Sequence, residues 1–139
     1  MECPFCQVDY ERIFAENDYA YAMRDKHPVS EGHSMVISNR HFEDIFDATE
    51  EELIGFWKLI LEVKEIIDKE FSPNAYNIGA NVGRSAGQTV MHMHVHIIPR
   101  YRGDVDDPTG GVRYVIPKKG NYKRPGYVPR LKKKTKKSK

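Results

Sequence analysis

The stretch Val90-Met91-His92-Met93-His94-Val95-His96-Ile97-Ile98 constrains this chain more than any other. A strand sends successive side chains to opposite faces, so this run is expected to set His92, His94 and His96 on one face. Met91, Met93, Val95 and Ile97 then lie on the other face, where they can pack on a core. Three imidazoles in register are costly to place without partners. They point either to metal ligation or to an imidazole that attacks phosphorus, carbon or a proton. The run itself leaves both chemistries open.

The other elements follow from periodicity. Residues 13–23 read as strand, turn at Asn17-Asp18, and strand, with Tyr19, Tyr21 and Met23 alternating with Ala20 and Ala22. His33-Ser34-Met35-Val36-Ile37-Ser38 reads as the next strand. Asp25 and His27 fall in the turn region between them, His27 as a surface loop residue before Pro28. Thr49 with Glu52 forms a capping box for a helix running to about Glu70. Its apolar stripe is Leu53, Phe56, Trp57, Ile60, Val63, Ile67 and Phe71, and Ser72-Pro73-Asn74 stops it. Tyr76-Asn77-Ile78-Gly79-Ala80-Asn81-Val82 reads as a strand. The following Gly83-Arg84-Ser85-Ala86-Gly87-Gln88-Thr89, beside the histidines, is favoured over an ordinary hairpin loop as a phosphate cradle. Its backbone N–H groups would work there with Gln88 and Thr89 as side-chain donors.

Charge divides the chain. Net charge is +2, but residues 130–139 hold seven positive charges and no negative one, which leaves residues 1–129 at −5. The domain reading is a core over 1–104, then an irregular arm over 105–130 packed on it, then a disordered basic tail over 131–139. The tail can attract polyanions weakly. With no run of eighteen apolar residues and no basic-then-apolar start, the protein is expected to be cytoplasmic and off the membrane. Cys3 and Cys6, the only cysteines, form a C-x-x-C that reads as half of a zinc site needing two further ligands.

These landmarks resemble the histidine-triad (HIT) superfamily of nucleotide hydrolases and transferases. His92 to Ile98 satisfies its pattern of His, apolar, His, apolar, His, apolar, apolar. Gly32-His33 opening a strand, Asn81 eleven residues before the triad, and Gly87-Gln88-Thr89 ahead of it extend the likeness from about Cys3 to Asp104. The resemblance implies an α+β fold, with an antiparallel sheet of about five strands and one long helix, in chains that pair as homodimers. It makes His94 the nucleophile that attacks the α-phosphorus of a nucleotide and His96 the group that aids departure. His33 and His92 would hold the right tautomer. Asp25 would hold the ribose hydroxyls, while Asn81, Gly87, Gln88 and Thr89 would line the phosphates. No metal is needed for this chemistry.

Some members carry structural zinc on a set like Cys3, Cys6, His41 and His92, which conflicts with an orienting role for the His92 ring. The run Ile97-Ile98-Pro99-Arg100, followed by Arg102-Gly103-Asp104, is more similar to dinucleoside polyphosphate hydrolases than to nucleoside phosphoramidases. Arg100 and the arm are expected near the distal phosphates. The third histidine argues against the uridylyltransferase branch. Rival functions are a phosphorylase or phosphoramidase of the same superfamily, or a nucleotide-binding module associated with nucleic acid.

Overall fold

A computed structural model describes residues 3–129, and the tail expected at 131–139 lies outside the described residues. The chain divides into two compact units, Met1–Asp104 and Val105–Lys139. The first holds strands β1 (Ile13–Glu16), β2 (Ala20–Arg24) and β3 (Ser34–Ser38), helix α1 (Glu50–Phe71), then β4 (Ala75–Gly79) and β5 (His94–Arg100). The strands form one sheet in the order β1-β2-β3-β5-β4, with every neighbouring pair antiparallel. This is the α+β arrangement of five strands and one long helix that the family resemblance implies.

Local chemistry places the ends of the elements. Asn17 Oδ1 accepts from the N–H groups of Tyr19 (2.9 Å) and Ala20 (3.0 Å), closing the β1–β2 turn. Its amide donates to the Gly55 carbonyl of α1 at 2.9 Å. Gly55 is small because a Cβ there would stand 2.5 Å from the Tyr19 ring. The capping box is present, with the Thr49 side chain on the Glu52 N–H and the Glu52 carboxylate on the Thr49 N–H. That carboxylate also takes two hydrogen bonds from Arg40, at 2.7 and 3.0 Å, chiefly because of which its pKa falls to about 2. The pair ties the start of α1 to the loop that carries His41.

One sheet face packs Ala20, Ala22, Val36, Val95 and Ile97 against Phe56, Leu59, Val63 and Ile67 of α1. The other face carries Tyr21, Met23, Met35 and Ile37, with Phe5 and Val8 of the N-terminal segment packed on it. β2 is thus covered on both faces. The predicted helix stripe needs one correction: Leu53 and Trp57 are 39% and 57% exposed, whereas Leu59 is fully buried. Apolar residues occur on more than one side of α1, and only the position of the sheet decides which side is core.

β5 alternates half-buried and buried positions. His94 pairs with Ile37, and His96 with Met35 and Gly79. A Cβ on Gly79 would meet nothing within 4 Å, so space is open beside His96. The regular strand begins at His94, and His92 sits in the bend just before it.

The second unit has no strand among its described residues, and its turns Gly111–Val115 and Pro117–Lys119 are short 3-10 segments. Arg113 is its internal staple, donating to the carbonyls of Gly120 (3.2 Å) and Lys119 (3.0 Å) and to the Tyr127 hydroxyl (2.8 Å). Among the described residues no helix is long and apolar enough to cross a membrane.

Candidate active site and metal centre

β2, β3 and β5 place the histidines and Asp25 along one side of the sheet, and the N-terminal segment and the loop after β4 wall the space above them. The result is a cavity of about 470 Å³. Of the candidate residues, His94, His96, Asp25, Asn81, Gly87 and Thr89 line it. Sequence reasoning missed its apolar lining of Phe5, Met23 and Met35 and its polar rim of Arg12, Lys26 and His27. The alternation through Met23 and Met35 was a signal for that lining. Those two residues pair directly across β2 and β3.

The hydrogen bonds assign a proton to each working imidazole. His94 Nδ1 lies 2.7 Å from the His92 carbonyl. A carbonyl only accepts, so Nδ1 carries the hydrogen, and in the neutral ring the lone pair is on Nε2. His33, 4% exposed, accepts at Nδ1 from the Val29 N–H at 3.2 Å. Its hydrogen is therefore on Nε2, which stands 3.0 Å from His96 Nδ1. His96 accepts there and carries its own hydrogen on Nε2. One site thus presents a nucleophilic lone pair and an adjacent N–H donor on rings whose centroids are 5.2 Å apart.

An Asp25 oxygen lies 3.5 Å from His33 Nε2 and 3.6 Å from His96 Nδ1. Its other oxygen accepts from the His27 N–H at 2.8 Å. Burial pushes the His33 and His96 pKa values below the ordinary imidazole value, and the Asp25 charge opposes that shift. Both rings are held neutral by desolvation.

Two expectations for the loop after β4 change. Gln88 is buried, and its side chain accepts from the Gly83 N–H and donates to the carbonyls of Glu43 and Val90. The N–H groups of Ala86, Gly87 and Gln88 bond to carbonyls within the same loop. The cradle is therefore not built from those N–H groups, and Gln88 shapes the loop from inside. The loop has to satisfy its own polar groups before it can hold a ligand. Arg100 also departs from expectation: it is bidentate on Asp104 and donates to Asn77 at 2.6 Å.

The second cluster lies beside the first. Cys3, Cys6, His41 and His92 bring one donor atom each to within 4.8 Å of one another. His92 Nδ1 is 3.4 Å from Cys3 Sγ, 3.5 Å from Cys6 Sγ and 3.1 Å from His41 Nδ1, and Cys6 Sγ is 3.2 Å from His41 Nδ1. Donors of a tetrahedral zinc ion stand about 3.3–3.8 Å apart for bonds of about 2.0 Å to nitrogen and about 2.3 Å to sulfur. The donor set and its spacing fit such an ion. His92 is fully buried, and its Nε2 donates to the Ser38 carbonyl at 2.7 Å. That bond leaves Nδ1 as the free ligand atom, the arrangement by which a second hydrogen bond fixes the tautomer of a metal-bound histidine.

The two roles considered for His92 fall on different parts of the residue. Its ring faces the cysteines, while its backbone carbonyl holds His94. His33 serves His96 instead.

Residues 7–103 match the HIT domain. Bis(5'-nucleosyl)-tetraphosphatase (asymmetrical) of Schizosaccharomyces pombe is 38% identical over 96 residues, 69% of this chain and 53% of that protein. AP-4-A phosphorylase of Mycobacterium tuberculosis is 34% identical over 122 residues, 84% of this chain and 60% of that protein. The chain thus spans little more than half the length of these two relatives. Among solved structures, a Zn-bound histidine triad family protein of Mycobacterium smegmatis has a TM-score of 0.68 and 28% identity, over 75% of this chain and 78% of that chain.

Proposed function

From a chain that belongs to the HIT family, we propose a nucleotide hydrolase of the dinucleoside polyphosphate class, which passes a nucleotidyl group through His94 to water. The observation that carries this proposal is the opposed pair of tautomers, a lone pair on His94 Nε2 and a hydrogen on His96 Nε2. His94 Nε2 attacks the α-phosphorus, and the bond from phosphorus to the bridging oxygen breaks. Its electron pair leaves with the nucleoside polyphosphate, hydrogen-bonded by His96 Nε2–H. Water then attacks phosphorus and the P–N bond returns its pair to His94. One water proton stays on the released nucleoside monophosphate and the other goes to solvent. Neutral donors aimed at developing oxyanion charge are where such transfers gain most of their rate.

Asp25, Asn81, Gly87 and Thr89 line the space for ribose and phosphates. Zinc held by Cys3, Cys6, His41 and His92 would fix the local architecture around the nucleophile, and no step passes through it. Pairing with a second copy and a cytoplasmic location belong to the same proposal. Ile54, Trp57 and Leu61, exposed along α1, are available to such a pairing.

Rapid-quench mass spectrometry on a panel of dinucleoside polyphosphates tests the reaction. A nucleotidyl adduct on His94 and release of monophosphate are expected. Absence of any adduct under single-turnover conditions contradicts the mechanism. The likeness to the phosphorylase motivates repeating the assay with inorganic phosphate. A nucleoside diphosphate product formed only then would assign phosphorolysis instead.

The pH profile gives an independent check. Because His33 and His96 titrate below the ordinary imidazole value of about 6.5, the acid limb of kcat/KM is expected below that pH. Asp25 raises both values, so Asp25→Asn removes that stabilisation of the protonated rings and shifts the limb further down. An upward shift would show that the limb belongs to another group.

A further inference from the structure

Phe5 stands between the two cysteines of the metal cluster, in the tight turn where the N–H groups of Cys6 and Gln7 both bond to the Cys3 carbonyl. Its ring meets the His94 ring edge-on at 5.0 Å and 75°, and the His92 ring at 5.9 Å and 88°. The same ring lines the catalytic cavity. Its backbone carbonyl accepts from the Tyr21 hydroxyl at 2.6 Å. Burial pushes that hydroxyl up to about 12, so it remains a donor at neutral pH.

The segment that carries Phe5 has no strand pairing of its own, since β1 begins only at Ile13. Its position depends on side-chain packing, the Tyr21 bond and the two cysteines. Those cysteines face His41, which follows β3, and His92, which precedes β5. An ion in the cluster therefore joins the turn to β5, which carries His94, and to its neighbour β3.

Resting on the nucleotide and zinc readings above, we propose that Phe5 is a positioning residue through which zinc in the four-donor cluster tightens nucleotide binding in the cavity. With the ion bound, the turn is clamped and the ring is preformed as a wall beside His94. Without it, the turn has to be ordered when nucleotide enters, and that ordering is subtracted from affinity. Linkage makes the effect reciprocal: nucleotide must tighten zinc by the same factor.

The test uses zinc and adenosine 5'-monophosphate as probes and does not depend on turnover. Zinc affinity is measured by competition with a chromophoric chelator, with and without saturating monophosphate, in the wild-type, Phe5→Ala and Phe5→Tyr proteins. Monophosphate is expected to tighten zinc about tenfold in the wild type, within the usual range of coupling between sites. Phe5→Tyr keeps the edge contacts and should keep that factor, whereas Phe5→Ala should reduce it below about twofold. Equal coupling in Phe5→Ala and wild type would overturn the proposal, because the effect would then run through general stabilisation of the fold. No coupling in the wild type would overturn it too. Failure of the underlying readings is visible separately. Metal analysis without stoichiometric zinc removes the cluster as a zinc site, and calorimetry without monophosphate binding to loaded protein removes the cavity as a nucleotide site. Either result overturns the proposal with it.

Discussion

His94→Gly and His94→Ala are expected to lower turnover by at least about 10⁴-fold while leaving nucleotide affinity within a few-fold, since removing a covalent nucleophile removes the reaction path. His94 is half-buried and forms one wall among many in the cavity, with Asp25, Asn81 and Thr89 still present to hold ligand. Its replacement breaks one hydrogen bond, from Nδ1 to the His92 carbonyl, so the fold should survive. In the glycine variant added imidazole can occupy the vacated space, and partial rescue is expected. Steady-state kinetics with parallel binding measurements decide the matter. Turnover within tenfold of wild type would place the nucleophile elsewhere.

The second large effect concerns the metal cluster. The Cys3→Ser/Cys6→Ser protein is expected to lose nearly all of about one equivalent of zinc per chain and to melt at least about 10 °C lower. Structural zinc sites contribute folding free energy directly, and a few kcal/mol moves the melting point of a domain this size by that much. The four donors come from the N-terminal turn, the loop after β3 and the bend before β5, so their loss frees three segments together. A mild chelator, in contrast, should leave turnover unchanged, because a closed four-donor site releases its ion slowly and the ion takes no part in bond breaking. Metal analysis and thermal melts of both proteins measure this. Equal melting points would show that the cluster stands without an ion.

Much of the architecture was legible in the chain because its causes are local. Thr49 and Glu52 cap a helix through atoms three residues apart. The alternation from Met93 to Ile97 specifies a strand with one face in the core, and Met93, Val95 and Ile97 are all buried there. The histidine pattern pointed to the cavity for the same reason: alternation puts His94 and His96 on one face whatever packs around them, and both line it.

What stayed hidden depends on partners far along the chain. Cys3 meets His92 across 89 residues and His33 meets His96 across 63. The division of labour in which the His92 ring turns to sulfur while its carbonyl holds His94 follows from where those segments cross. Periodicity could not tell that Trp57 faces outward and Leu59 inward, because the helix carries apolar residues on both sides and the sheet chooses one. Nor could the residue types tell that Gln88 satisfies the backbone carbonyls of Glu43 and Val90, or that the Phe5 ring reaches His94. A side chain's chemistry is carried by the sequence, but its direction is set by whichever distant atoms satisfy it, and those are brought near only by the fold.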